Sequence, residues 1–489
     1  AHGISRGTRV MLMVKPSMEF LCLTFALFKI GAVVILIDPG MGYRNLLRCI
    51  SQVRPEVFIG IPKAHLFKLL YPHPFKTVKK NFLVVSGISI FSRGMKKIAD
   101  YSKGDFPCVA SRKDDLAAII FTTGSTGPPK GVQYTHGVFQ AQLTLIREHY
   151  GITEADIDQP AFPLFGLFTI ALGACAVLPR MDAARPAQVD PEKFIKTIVE
   201  HKVTYSFGSP AIWNVISRYC LKKNIILTSL KKILMAGAPV SGELIRRVSR
   251  VLPPDAEIHT PYGATECLPI TSMTGSMILS ETWELTKAGK GACVGRPLPG
   301  IEMRIIETVE GSITDWRNAV VLPDGEIGEI VVKGDVVTHA YDRNEKENAV
   351  AKIPDNGSFW HRIGDVGYFD AAGRLWFCGR KAHRVMTGEG IMYTIPCEAL
   401  FNEHPKVFRS ALVGIGKPGF QEPVLIAEPF SSPSDPDRLI AELVAIAEGH
   451  SLTKSIRKIM LHPSFPVDIR HNAKIFREKL AVWAEEQMQ

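Results

Sequence analysis

The chain has 489 residues, 46% of them hydrophobic and 22% charged, with a formal net charge of +10. That length predicts two or three domains, and that balance excludes a disordered chain. The basic residues are scattered, which speaks against nucleic-acid binding and suits an anionic ligand or a membrane surface, while nine cysteines spread singly without a CxxC pair argue against a zinc site or a disulfide framework.

The opening stretch "AHGISRGTRVMLMV" reads as the middle of a domain, so an N-terminal segment is expected ahead of it. No signal peptide opens it, and with the unpaired cysteines this predicts a cytoplasmic protein. Residues 20–40, "FLCLTFALFKIGAVVILIDPG", are long enough for a membrane span by length alone. Lys29 sits in the middle and Gly31 breaks the run, so the spacing predicts a buried helix, a turn and a buried strand, with no transmembrane segment.

From residue 1 to about 380, bulky strand-like runs alternate with helical patterns: "RVMLMV", "AVVILI", "AAIIFTT", "KKILMAG" and "EIHTPYG". Such runs suggest strands covered on both faces. Near 295–335 short strands joined by Gly and Pro, "GRPLPGIEMRII" and "DGEIGEIVVKG", look like a small antiparallel sheet or barrel. After "LWFCGRKAHRV" (375–385) the last segment has its own strands and helices. The expected architecture is α/β. A large domain of mixed, mainly parallel sheets (1–380) contains a small β-barrel-like subdomain (about 295–379). A small, mobile α+β domain (381–489) follows it.

Residues 119–137, "IIFTTGSTGPPKGVQYTHG", pose a sharper question. A hydrophobic run leads into a loop rich in glycine and hydroxyls that ends at Lys130. This is no Walker A loop, because Pro129 precedes the lysine and Gly131 follows it. Two prolines remove amide donors from the second half. The first half keeps its amides and adds the hydroxyls of Thr122, Thr123, Ser125 and Thr126. With Gly124 and Gly127 allowing close approach, it fits a mobile clamp over a polyphosphate.

Five motifs, in order, then resemble the adenylate-forming superfamily of acyl-CoA synthetases, peptide-synthetase adenylation domains and luciferases. "FTTGSTGPPKGV" (121–132) resembles its phosphate loop. "LMAGAPVSGEL" (234–244), with Gly237, Ala238 and Pro239, resembles the turn beside adenine. "PYGATE" (261–266) resembles the motif whose Tyr262, Thr265 and Glu266 would meet adenine, α-phosphate and Mg²⁺, with Gly263 between them. "FWHRIGDVGYFDAAGRLWFCGR" (359–380) resembles the stretch whose Asp365 and Arg380 would hold the ribose. "RHNAKIFREKL" (470–480) resembles the catalytic-lysine motif and offers Lys474 at the start of an amphipathic helix; His471 reads equally as structural or functional.

The chemistry accounts for these residue types. Attack of a carboxylate on the α-phosphate of ATP brings like charges together, so the site must supply cations and fixed donors. The resemblance implies Lys474 as the bridging charge and Thr265 beside it. It implies Glu266, with Thr123, as the oxygen ligands of Mg²⁺, and residues 122–130 as the hold on the β- and γ-phosphates.

The second half of the usual machinery is altered. Acyl-CoA synthetases carry Gly-Arg-x-Asp at the hinge and a lysine four residues beyond the Asp. In "GRKAHRVMTGEG" Ala382 replaces the Asp and Met386 the lysine. "TGEGIMYTIP" lacks the usual Gly-x-Arg-Ile, and "HNAK" stands in place of "SGK". With "FPLFGLF" and "GSPA", this pattern resembles the β-lactone synthetases of bacterial long-chain olefin biosynthesis. That implies a 2-alkyl-3-hydroxy fatty acid activated with ATP, whose own hydroxyl closes the ring, and a possible complex with other enzymes of the pathway. The alternatives are a long-chain fatty acid–CoA ligase, which would use coenzyme A, and a non-catalytic adenylate-binding protein. Phe162, Phe165, Phe168 and Trp213 are the candidate lining of an apolar acyl pocket, with core packing an equal reading.

Overall fold

The computed structural model describes residues 3–84, 108–122, 127–162, 164–183, 185–468 and 474–488. The first sheet holds β1 (Arg9–Met13), β2 (Val33–Leu36), β3 (Val57–Gly60), β4 (Lys80–Leu83), β5 (Leu116–Phe121) and β6 (Gly131–Thr135), in the order β4-β3-β1-β2-β5-β6. All neighbours are parallel except β5 and β6. Val10, Met11, Val34, Ile35 and Phe58 are fully buried. Their strands read as unbroken apolar runs because both faces are covered.

The 20–40 stretch resolves into helix and strand as expected. The helix Met18–Lys29 is capped by Ser17, whose hydroxyl accepts from the Phe20 amide. Gly31, at φ +69°, turns the chain into β2. Among the described residues no helix is long and apolar enough to cross a membrane.

The second sheet has twelve strands. They are β7 (Ile157–Asp158), β8 (Cys175–Ala176), β9 (Tyr205–Gly208), β10 (Lys232–Met235), β11 (Glu257–Ala264), β12 (Cys267–Thr274), β13 (Ala292–Pro297), β14 (Glu302–Ile306), β15 (Gly328–Lys333), β16 (Lys352–Asp355), β17 (Ser358–Phe369) and β18 (Leu375–Arg380). The path β8-β7-β9-β10-β11 is parallel, and from β11 onward, through β12-β13-β18-β17-β15-β14, every pairing is antiparallel. The antiparallel strands near 295–379 are therefore not a sheet of their own. β13 pairs with β12 on one side and β18 on the other, which fuses them to the parallel half.

The last segment carries a hairpin, β19 (Val385–Thr387) with β20 (Gly390–Met392), and a three-stranded sheet of β21 (Val407–Ile415), β22 (Glu422–Pro429) and β23 (Lys458–Leu461). Strand alternation splits its apolar residues between two faces. Leu412 and Leu425 pack with Phe401, Leu439 and Leu443. Ala411, Val413, Val424 and Ile426 pack with Leu480 and Ala484. Both cores draw only on residues from Val385 onward.

Candidate active site

The carboxyl ends of β5, β9, β10 and β11 open into one cavity of about 1760 Å³. In open α/β sheets this is where ligands bind, because loops there are free of the ladder. The cavity is lined by Thr122, Gly127 and Lys130, by Gly237, Ala238 and Pro239, by Tyr262, Gly263, Thr265 and Glu266, by Asp365 and Arg380, and by Lys474. Phe162, Phe165 and Phe168 line it as well. Thr123, Gly124, Ser125, Thr126 and His471 lie outside the described residues.

Thr265 and Glu266 are the two-residue turn between β11 and β12, where Ala264 faces Cys267. Gly263 makes the turn possible: a Cβ there would stand 2.5 Å from the Cys267 carbonyl oxygen. The turn is gripped from several sides. Tyr134 Oη donates to the Thr265 carbonyl. The Thr338 amide (2.8 Å) and hydroxyl (3.0 Å) both donate to the Glu266 carbonyl. Tyr341 Oη donates to Glu266 Oε1 at 2.7 Å. Lys352 Nζ donates in turn to the Thr338 carbonyl. Burial lowers the Lys352 ammonium to about 7, against the pull of Cys267 and Glu266.

Thr122 and Lys130 close the neck of the glycine-rich loop. Each backbone amide bonds across it: Thr122 N to the Lys130 carbonyl at 3.0 Å, and Lys130 N to Thr122 Oγ1 at 3.2 Å. Lys130 Nζ pairs with Glu347 Oε2 at 2.6 Å and lies 5.2 Å from the Tyr341 ring centroid. Tyr341 thus touches both the loop lysine and the Glu266 carboxylate.

Asp365 and Arg380 face each other across β17 and β18. Arg380 Nη1 lies 2.9 Å from Asp365 Oδ1, and Tyr262 Oη donates to Asp365 Oδ2 at 2.6 Å. The Arg380 contact is an ion pair off the angle of a hydrogen bond, so Oδ1 keeps its capacity to accept. Burial pushes the Asp365 carboxyl up, against Arg380, Tyr262 and Lys474.

Lys474 precedes its helix instead of starting it; the helix begins at Arg477. A bridge between Val467 and Ile475 pinches the loop. Asp468 then fixes the lysine backbone, its Oδ1 accepting from the Lys474 amide and its own amide donating to the Lys474 carbonyl, both at 3.0 Å. Arg477 anchors the helix by a buried pair with Glu398, at 2.6 Å to Oε2. Burial, with Arg477 and Arg380 nearby, lowers the cavity-lining His383 to about 3, so its ring is neutral.

The acyl-pocket expectation divides. Phe165 stacks on Phe207, with centroids 3.7 Å apart, and leans on Phe162 and Phe168. All three aromatic residues face the cavity. Trp213 does not line it: the indole is fully buried and packs edge-on against Phe194 in the core of the second sheet. It sits in the first turns of the helix Pro210–Lys223, with its apolar face turned to the core. Tyr341, Lys352 and Gln142 were missed by sequence reasoning. Gln142 sits in a helix, Lys352 at the start of a strand and Tyr341 in a loop pinned by an isolated bridge to Val132, and no local signal marks them.

The family model described as AMP-binding enzyme matches residues 1–342. The chain is 43% identical to the olefin β-lactone synthetase of Xanthomonas campestris over 99% of its own length and 88% of that protein's. It is 44% identical to the olefin β-lactone synthetase of Stenotrophomonas maltophilia, over 100% and 88%. The long-chain-fatty-acid–CoA ligase of Thermus thermophilus is more distant, at 25% over 91% and 80%. Among solved structures, ATP-bound MatB from Rhodopseudomonas palustris shares the fold with a TM-score of 0.79 at 20% identity, over 100% of this chain and 90% of that one.

Proposed function

Because this chain belongs to the AMP-binding enzyme family and, within it, to the olefin β-lactone synthetases, we propose that it converts a 2-alkyl-3-hydroxy fatty acid and ATP to a β-lactone, AMP and pyrophosphate. The carboxylate attacks the α-phosphate, the bond to pyrophosphate breaks, and an acyl-adenylate forms. The 3-hydroxyl oxygen then attacks the acyl carbon and the acyl–phosphate bond breaks. AMP leaves with the electron pair, and the hydroxyl proton is released. An internal nucleophile replaces a second substrate by proximity.

One observation carries this reading. Glu266, Asp365 and Lys474 come from three distant stretches and line one cavity together with the aromatic wall of Phe162, Phe165 and Phe168. Asp365, Arg380 and Tyr262 would hold the ribose side, and Gly237, Ala238 and Pro239 the adenine. Lys474 would set its charge between carboxylate and α-phosphate. Thr265 would steady that phosphate, while Lys130 and the 122–127 loop steady the leaving pyrophosphate.

Glu266 fits a hard cation. Among the described residues only Tyr341 hydrogen-bonds its carboxylate, at Oε1, and Glu266 lines the cavity, which leaves Oε2 as an oxygen ligand for the ion. Mg²⁺ held there, with Thr123, would supply charge neutralisation for the phosphates. We further assign residues 1–380 to the adenylation domain and 381–489 to a lid that carries Lys474.

Thioester formation with coenzyme A is the second reading. The hinge departures at Ala382 and Met386 and the greater distance of the CoA ligases weigh against it. A reactive lactone also favours hand-over to neighbouring pathway enzymes. The test is incubation with Mg-ATP and a 2-alkyl-3-hydroxy acid, with and without coenzyme A, and NMR identification of the acyl product at low temperature. A lactone formed without coenzyme A supports the proposal; a thioester formed only with it overturns it.

A further inference from the structure

Five buried polar atoms on the cavity wall have no hydrogen-bond partner among the described residues: Gln142 Oε1, Asp158 Oδ1, Ser209 Oγ, Arg362 Nε and Asp365 Oδ1. A dry, unpaired acceptor is costly, and in a ligand cavity it points to a missing ligand atom. Of these, Gln142 holds the strand that leaves the Thr265–Glu266 turn.

Gln142 lies on the helix His136–Tyr150 and is 1% exposed. Its Nε2 donates to the Leu268 carbonyl at 2.9 Å. A backbone carbonyl only accepts, so the amide nitrogen must face it and Oε1 must face away. Just ahead of the same helix, Tyr134 donates to the Thr265 carbonyl. Gln142 and Tyr134 therefore hold the two ends of the Thr265–Leu268 segment. The same helix turns the apolar Phe139, Leu143 and Ile146 to the cavity, with Gln140, His136 and Tyr150 as its other lining residues. Gln142 Oε1 is an oriented acceptor in a largely apolar stretch of the wall, close in the chain's contacts to the Thr265–Glu266 turn.

We propose that Gln142 Oε1 accepts the hydrogen bond of the substrate's 3-hydroxyl and makes the enzyme select β-hydroxy acids. This rests on the proposed function. A 2-alkyl-3-hydroxy acid offers one neutral O–H; its carboxylate and alkyl arms have no proton to donate. A neutral amide takes no proton. Its part is to turn the hydroxyl so that an oxygen lone pair faces the acyl carbon. An acid without the hydroxyl leaves the buried acceptor unpaired, which is the strongest way a pocket rejects an analogue.

The experiment measures pyrophosphate release with three matched acids: 3-hydroxy, 3-fluoro and 3-deoxy. Fluorine has nearly the size of the hydroxyl but brings no proton. In a single turnover with enzyme in excess, before the hydroxyl's own attack can matter, the wild-type protein is expected to prefer the 3-hydroxy acid over both others in the second-order rate constant of pyrophosphate release by on the order of 100-fold or more. Gln142→Leu and Gln142→Met should cut that preference at least tenfold. A wild-type ratio near one, equal use of the fluoro acid, or an undiminished ratio in a folded variant would each overturn the inference. The wild-type series decides it even where a variant does not fold. Product identity separates the two levels. Hydroxyl selection by Gln142 with a thioester product sinks only the lactone, and a lactone with no selection sinks only Gln142.

Discussion

Tyr262 donates a 2.6 Å hydrogen bond to Asp365 across 103 residues of sequence, and Arg380 closes on the same carboxylate at 2.9 Å. The stretches 261–266 and 359–380 are thereby one unit. Asp365→Ala removes the acceptor and takes its ion-pair partner from the half-buried Arg380, which keeps only its bond to the Ile363 carbonyl among the described residues. We expect ATP affinity to fall about 10–100-fold, the scale of one charged hydrogen bond lost, with reduced thermal stability as well. Tyr262→Phe should weaken ATP binding less. Calorimetric titration with ATP checks both, and an unchanged affinity in Asp365→Ala would remove it from the ribose site.

Lys474 lies on a pinched loop that Asp468 fixes by two backbone contacts. Its ammonium is assigned to the developing charge, not to ground-state binding. Lys474→Ala should keep ATP binding and lower AMP formation by on the order of 100-fold or more. Single-turnover measurement of AMP is the check; wild-type rates in the variant would refute the assignment.

Tyr341 holds Glu266 Oε1 at 2.7 Å while its ring lies under the Lys130 ammonium. Removing the hydroxyl frees the carboxylate to swing. Tyr341→Phe should raise the Mg²⁺ concentration needed for half-maximal activity several-fold. It should also weaken Mn²⁺ binding in the presence of ATP, read by electron paramagnetic resonance. Identical metal titrations would show that Tyr341 serves packing alone.

Asp158 is a pH-sensitive element in the cavity wall. Burial raises its carboxyl from 3.8 to about 8, against the Thr169 hydroxyl and the Phe207 amide. The folded chain keeps this proton after the unfolded chain has lost it. Stability is therefore lost as pH rises between those two values, with a slope from this one group approaching about 1.4 kcal/mol per pH unit. Asp158→Asn keeps a neutral side chain at all pH and should flatten that loss. Denaturant unfolding from pH 4 to 8 compares the two; equal slopes would show that Asp158 ionises normally.

The sequence by itself determined the parts of this protein that are local. Strands β1, β2 and β5 of the first sheet, the helix-turn-strand at 20–40 and the motifs around Lys130, Glu266, Asp365 and Lys474 were legible. Period, turn residues and contiguous chemistry are written in neighbouring positions. Only the tertiary structure decided which residues meet. It fused the antiparallel strands to the parallel ones through β13, put Trp213 in the core and Phe162, Phe165 and Phe168 on the cavity. It brought Tyr341, Lys352 and Gln142 around a two-residue turn to which no sequence pattern links them. Those contacts come from register and packing between elements dozens to hundreds of residues apart. Hydrophobic spacing fixes each face, but it cannot say which polar atom the opposite face will present.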